Sequence, residues 1–385
     1  MRKVPSRPFD RCSCHVQAAI ECTLPAQAQR SVGGRMQSVK SVSPRTMALV
    51  LALLLAMGTP AMARELRLSH QFGETDARHR AARVLAAELR KHRPDLTLSL
   101  HPNSSLGVQP EQQLDALIEG KVDLAILPMG YAAAKYPELA IASMPAIPAS
   151  AENAALLRGS EFEDLLQAFC DERGFRILAW WWFDGGTASR KRRVSSPGSI
   201  KGLAARSGGG EAFHTVLAAA GARIARMSAD KMNESMQGDA LEVYQGSYEA
   251  LVNYKLYEVA QYATIGGYSA YVTLVPILIS KKTWDDLGPE AQAELSRAAD
   301  ASTIFMEQTQ REAEEMTASR FSASKAQVEP LGFEDYAAWA ELAKNTAWQD
   351  YRKVSPKAAE LMNAMLRSFI NARRSDGTPG EPPPK

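Results

Sequence analysis

The chain has 385 residues, with 45 Lys and Arg against 43 Asp and Glu, and four cysteines. That length accommodates two ordinary domains or one large one with a sizeable core. The near balance of charge gives no reason to seek nucleic acid or an anionic membrane as partner.

The N-terminal 63 residues read as a leader. Arg35, Lys40 and Arg45 precede the apolar run 47–57, Gly58-Thr59-Pro60 breaks it, and Ala61-Met62-Ala63 supplies a small-x-small cleavage signal. Met36 is a suitable start for such a peptide, so residues 1–35 read as an over-extended start. The run is too short to span a bilayer, which takes about 18 to 20 apolar residues. The mature chain is therefore expected to be exported, without inserting into the membrane itself. Removing the leader takes away eight Lys/Arg and two Asp/Glu, which leaves a net charge of −4. Cys12, Cys14, His15 and Cys22 leave with it, and their spacing fits no paired zinc pattern. Cys170 then stays as a single thiol among Leu165, Leu166 and Phe169, expected to be buried on a helix.

Leu66 and Leu68 alternate with polar neighbours as a half-buried strand does, and Thr75-Asp76 caps a helix with the stripe Ala81, Val84, Leu85, Leu89. Leu96, Leu98 and Leu100 alternate again. Pro110 opens a helix with Leu114, Leu117 and Ile118 on one face, Gly120 closes it, and an apolar strand follows over 122–127. This β-α-β-α-β order points to a mainly parallel sheet covered by helices. Residues 175–183 read as a strand, 201–207 as another, 211–220 and 230–237 as short helices, and 271–280 as one more strand. A helical stretch from Glu290 to about Ala323 is long enough to brace two domains. The Pro/Gly-rich residues 371–385 read as a disordered tail.

Seven blocks in order resemble the DctP-type solute-binding proteins of tripartite ATP-independent periplasmic (TRAP) transporters. They are the opening strand Leu66-Arg67-Leu68-Ser69-His70, the turn His101-Pro102-Asn103-Ser104-Ser105-Leu106-Gly107, residues 117–125 (LIEGKVDLA), 143–148 (SMPAIP), 199–206 (SIKGLAAR), 255–259 (KLYEV) and 279–287 (ISKKTWDDL). The resemblance implies an α/β, two-domain periplasmic binding protein of type II-like architecture, with a hinge cleft and a long bracing helix. It divides the mature chain into 64–186 with about 275–315, and 187–274 with about 316–370. It also implies capture of a small organic acid and delivery to TRAP permease subunits. A ligand sensor for a receptor kinase shares the same cleft. An exported hydrolase or lyase, using Asp123, Glu242 or a histidine, lacks a nucleophile elbow or metal motif. Neither metal, cofactor nor catalytic residue is expected.

Arg206 is the leading ligand-binding candidate. It ends a strand-like segment before Ser207-Gly208-Gly209-Gly210, and a guanidinium fork beside free N–H groups suits a carboxylate. The resemblance assigns the matching arginine that role; a surface salt bridge is the ordinary alternative. In the cluster 180–183, strand alternation puts Trp180 and Trp182 on one face and Trp181 and Phe183 on the other, with Trp182 and Phe183 as candidate contacts. Tyr244, Gln245, Tyr268 and Tyr271 suit cleft walls and satisfied cores equally. Gln71 and Glu74 follow the first strand, where α/β clefts receive ligands. Two family features are missing: residues 184–189 (DGGTAS) carry no arginine, and residues 242–247 (EVYQGS) carry no asparagine. One arginine among aromatic and amide groups suits a monocarboxylate. The run Arg190-Lys191-Arg192-Arg193 is expected to be a solvated loop.

Overall fold

A computed structural model describes residues 64–227 and 231–375. The leader, its cleavage signal, three of the four cysteines and most of the tail lie outside the described residues. The chain runs β1 (Arg64–Ser69), α1 (Ala77–His92), β2 (Leu96–His101), α2 (Gln113–Ile118), β3 (Leu124–Ile126), α3 (Met129–Lys135), α4 (Glu161–Asp171), β4 (Phe175–Ala179) and β5 (Trp182–Ser189). It continues through β6 (Ala204–Ser207), α5 (Glu211–Ala219), β7 (Arg223–Ile224), α6 (Met232–Gln237), β8 (Val243–Ser247), α7 (Tyr248–Asn253), β9 (Tyr262–Gly267), β10 (Val272–Leu274) and β11 (Ile277–Ser280). The last elements are α8 (Lys281–Ala323), β12 (Gln327–Leu331), α9 (Phe333–Asn345), α10 (Ala347–Arg352) and α11 (Pro356–Ser375).

Two sheets form. The first has the order β2-β1-β3-β11-β4, with β1 parallel to β2 and β3. The second has the order β12-β9-β5-β8-β6-β7, and β10 adds to β5. The opening β-α-β-α-β unit is parallel as expected, but β11 returns antiparallel between β3 and β4, and β5 runs antiparallel to β8, β9 and β10.

The apolar run 175–183 and the run 271–280 each read as one strand in the sequence, yet each is divided between the sheets. The first passes from β4 to β5 at Trp180-Trp181. The second passes from β10 to β11 at Val275-Pro276, where the proline has no N–H for a ladder. The crossings are tied together, since the Val275 N–H donates to the Trp181 carbonyl over 2.9 Å.

Helix α1 shows how local chemistry sets the elements. Asp76 caps it by accepting from the Arg78 N–H at 2.9 Å, Ala77, Ala81, Ala82, Leu85 and Leu89 are buried, and Arg90, Lys91 and His92 face the negative C-terminal end of the helix dipole. Helix α8 is broken at Gly288 (φ 74°) ahead of Pro289, and the long part packs against α1 and β4 on one side and α7, β9 and β12 on the other. Helix α11 packs against α4, on the side of the first sheet. Trp181 and Phe183 join the core of α1 and the first sheet, whereas Trp182 joins the core on the other face with Trp180 packed on it. Strand alternation anticipated that division.

Candidate functional site

Strand β6 pairs in parallel with β8, placing Arg206 opposite Tyr244. Alternation turns Ala205 and Val243 into the core on one face and leaves Arg206 and Tyr244 on the other. The half-buried Arg206 guanidinium lies 5.9 Å from the Tyr244 ring centroid and 3.5 Å from the Met232 Sδ. No carboxylate pairs with it among the described residues.

Glycines after β6 make room for aromatic side chains. A Cβ on Gly208 would stand 2.8 Å from the Tyr244 Oη and 3.4 Å from the Tyr271 Oη, while one on Gly209 would lie 2.1 Å from the Phe213 ring. The Gly208 N–H donates to the Gln245 carbonyl over 2.9 Å. The space that the absent side chains free is thus taken by phenols and a phenyl ring, and the Gly208 and Gly209 N–H groups are both paired, so the free N–H groups expected beside Arg206 are not found there. The Gly209 N–H faces the Ser207 Oγ at 3.2 Å.

A second arginine, absent from the sequence expectation, enters from the first sheet. Arg78, in the first turn of α1, grips Asp76 with two bonds, Nε to Oδ1 at 2.7 Å and Nη2 to Oδ2 at 2.6 Å. Its guanidinium carbon lies 3.5 Å from the Phe72 ring centroid and 5.4 Å from that of Phe183. Burial opposes ionisation of Asp76, but the Arg78 pair outweighs it and holds the carboxyl below its ordinary range. Tyr271, buried between these groups, has its hydroxyl pushed up by burial and lies within electrostatic reach of Tyr254, Arg78, Glu249 and Arg206. Tyr131 on α3 is pushed up by burial too, with Glu111 and Tyr254 adding and Arg206 opposing. Groups following β1 and β3 therefore meet groups following β6 and β8, at the C-terminal strand ends where α/β folds receive ligands.

Glu249, in the first turn of α7, completes the cluster. Burial pushes its carboxyl up against the pull of Arg78 and of Gln310, whose Nε2 donates to Oε1. Its Oε2 is buried without a hydrogen-bond partner among the described residues. Behind Phe72, His70 stacks on that ring at 5.9 Å and meets the His79 Nδ1 at 3.1 Å; burial first, then His79, lowers it to about 4.

The remaining candidates scatter. Gln71 is half-buried just after β1, with a buried Oε1 that lacks a partner, and Glu74 is exposed. Phe183 is fully buried beneath Arg78. Gln245 points to the opposite face from Tyr244, into a small void beside Pro145, Phe213 and Trp339. Tyr268 is 42% exposed and stacks on Tyr336 at 5.1 Å, on a separate aromatic patch. Trp182 lines a cavity of about 340 Å³ at the crossings, bounded by α8 and the short helical turns over 151–157. That cavity does not include Arg206. It holds Asp184, pushed up to about 7 by burial, with the Ala151 N–H opposing and Glu314 and Glu249 adding. Arg206 and the strand ends around it lie outside this void.

The basic run 190–193 is a surface loop after β5, with Lys191 and Arg192 exposed as expected, but its side chains are also engaged. Arg190 bonds the Met236 and Gln237 carbonyls and Asp239, Arg192 donates to the Ser199 and Lys201 carbonyls, and Lys191 and Arg193 pair with Glu242 and Glu329. Four cations in a row here staple neighbouring segments.

The family model of bacterial extracellular solute-binding protein family 7, DctP, matches residues 68–353. A solute-binding protein of Albidiferax ferrireducens is 28% identical over 334 residues, 85% of this chain and 96% of the relative. The 2,3-diketo-L-gulonate-binding periplasmic protein YiaO of Escherichia coli is 23% identical, over 83% of this chain and 97% of its own length. A TRAP periplasmic solute-binding protein from Rhodoferax ferrireducens, solved with bound malonate, superposes with a TM-score of 0.74 at 26% identity, covering 80% of this chain and 98% of that one. No helix among the described residues is long and apolar enough to cross a membrane. The chain belongs to family 7 of the bacterial extracellular solute-binding proteins, the DctP family, which is a binding family and not an enzyme family.

Proposed function

We propose that this solute-binding protein captures a small monocarboxylate in the periplasm, with the Arg206 guanidinium on the carboxylate, and delivers it to the membrane subunits of a TRAP transporter. The observation that carries the reading is a half-buried guanidinium on a strand end, without a carboxylate partner among the described residues. Arg78 is committed to Asp76, which leaves Arg206 as the cation of this cluster without a carboxylate partner among the described residues. Malonate in the Rhodoferax protein supports an acid as ligand, and at this cluster a cation without a carboxylate partner among the described residues, Arg206, beside one paired with Asp76 favours one carboxylate over two. Tyr131 and Arg78 from the first sheet, and Arg206, Tyr244 and Tyr254 from the second, form the two walls. Closing them about the crossings at residues 180–181 and 275–276 would exclude water and strengthen the ion pair.

Calorimetric titration with a panel of organic acids tests this. Arg206→Ala leaves the bound carboxylate uncompensated, costing about 2 to 5 kcal/mol, a loss of roughly thirtyfold or more. Arg206→Lys binds more weakly than wild type because an ammonium lacks the planar fork. Wild-type affinity in Arg206→Ala, with unchanged melting of the free protein, would place the carboxylate elsewhere.

A further inference from the structure

We infer that Glu249 selects, among monocarboxylates, those that carry a hydroxyl or ammonium donor. The inference rests on the reading that Arg206 holds the carboxylate, and it concerns the other end of the ligand.

Glu249 sits in the first turn of α7, which Ser247 caps by accepting from the Ala250 N–H at 3.3 Å. Its two oxygens differ. Oε1 takes the Gln310 amide from α8, while Oε2 is shut away from water with no donor among the described residues. A carboxylate can only accept hydrogen bonds, so no reorientation of Glu249 satisfies this oxygen; it needs a donor. The charged and titratable groups around Glu249 are Arg78 and Asp76 from the α1 side, and Tyr271 and Asp184 on the crossing strands. Of these, Arg78 already spends Nε and Nη2 on Asp76. Neither the remaining Arg78 Nη1 nor the Tyr271 hydroxyl bonds Oε2, so a donor that enters the cleft would complete it.

Tyr271 relates the two ends of the site. Its hydroxyl lies within electrostatic reach of both Arg206 and Glu249, so a ligand seated over it presents its carboxylate to one and its body to the other. A second carboxylate would meet Glu249 and Asp76 and be repelled. A hydroxyl or ammonium would complete the orphaned oxygen, the ammonium adding a charge pair. A site built around a hydrogen-bond acceptor also rejects the analogue that lacks the donor, because the buried acceptor then stays unpaired.

The test uses matched acids of three to six carbons: unsubstituted monocarboxylates, their 2-hydroxy, 3-hydroxy and 2-amino counterparts, and the dicarboxylates of equal length. These are titrated calorimetrically into wild type, Glu249→Gln, Glu249→Asp and Arg206→Ala, and unliganded melting is recorded for each variant. In wild type at least one donor-bearing acid binds tenfold or more tighter than its unsubstituted partner, and the dicarboxylates bind more weakly than it does. In Glu249→Gln that ratio falls to about threefold or less. A larger fall for the amino than for the hydroxy acid identifies the ammonium as the donor, and similar falls identify the hydroxyl. Glu249→Asp keeps the charge and serves if Glu249→Gln fails to fold; it too lowers the ratio, because the shorter arm withdraws the acceptor. Equal affinity for donor-bearing and unsubstituted acids in wild type overturns the inference, as does a ratio that survives in the variants. If Arg206→Ala retains affinity, the carboxylate assignment fails while the Glu249 contrast is still measured. If no acid binds wild type, both fall together.

Discussion

Arg206 stood out in the sequence because it ends a recognisable block, whereas Arg78 looked like one more polar residue on an amphipathic helix. Arg78 did carry a signal: a cation in the first turn of a helix opposes the helix dipole, and α1 has no acid among its first-turn residues. A residue placed against that preference is held there by something else, here Asp76 and the Phe72 ring. Arg78→Ala is expected to weaken acid binding and also to lower stability by about 2 kcal/mol or more, because Asp76 would remain 8% exposed with no counter-charge; calorimetry and urea unfolding separate the two effects. Glu249 had no such signal, since an acid in the first turn of α7 is ordinary and Gln310 lies 61 residues further on. Titration yields a second residue-scale prediction. Asp184 ionises near its ordinary value in the unfolded chain but at about 7 in the folded one. Between those values the folded state holds the extra proton, so this group makes stability fall as pH rises from about 4 to 7. His70, lowered to about 4 from 6.5, acts oppositely, its contribution being lost as pH falls through that window. Asp184→Asn removes the first effect alone. Urea unfolding should show the variant more stable than wild type at pH 8, by about 2 kcal/mol given that the side chain borders a cavity, with the gain shrinking toward pH 4. An equal gain at both pH values would reject the assignment.

Among the elements, α1, α2, α5, α6, the long part of α8 and the first three strands were legible because alternation, caps and closing glycines mark them, whereas α3, α7 and α9 to α11 were not read from the sequence. The division of the two strands was not legible. Both halves of 175–183 are buried, so the apolar run continues unbroken across the change of sheet, and only Pro276 marks the other crossing. Close approach of β5 to its neighbours was equally hidden. A Cβ on Gly185 would lie 2.2 Å from the Gly246 carbonyl oxygen and 2.5 Å from the Tyr271 ring, and one on Gly186 would lie 2.5 Å from the Thr264 carbonyl oxygen. Backbone on both sides cannot yield as a flexible side chain would. Gly185→Ala is therefore expected to destabilise the protein by about 2 to 4 kcal/mol. Gly198→Ala, where nothing lies within 4 Å, should stay within about 0.5 kcal/mol. Comparable urea midpoints for the two variants would show that the strands can separate at little cost.

At the scale of the whole molecule, the two crossings and α8 are the connections about which the walls would close. Saturating ligand is expected to reduce the radius of gyration in solution scattering, and an unchanged profile would rule out hinge closure. The same connectivity bears on how the protein is made. Strand β11 fills the gap between β3 and β4, pairing Ile277 with Ile126 and with Ala179. Until residue 280 has left the ribosome, the first sheet lacks the strand that joins β3 to β4, and the two edges that should meet it stay open. Contacts of such high sequence separation form slowly. Completion of the first sheet therefore waits for residues near 280, and a chain held open in this way would stay threadable through a narrow pore for longer than one whose sheet is built from consecutive residues.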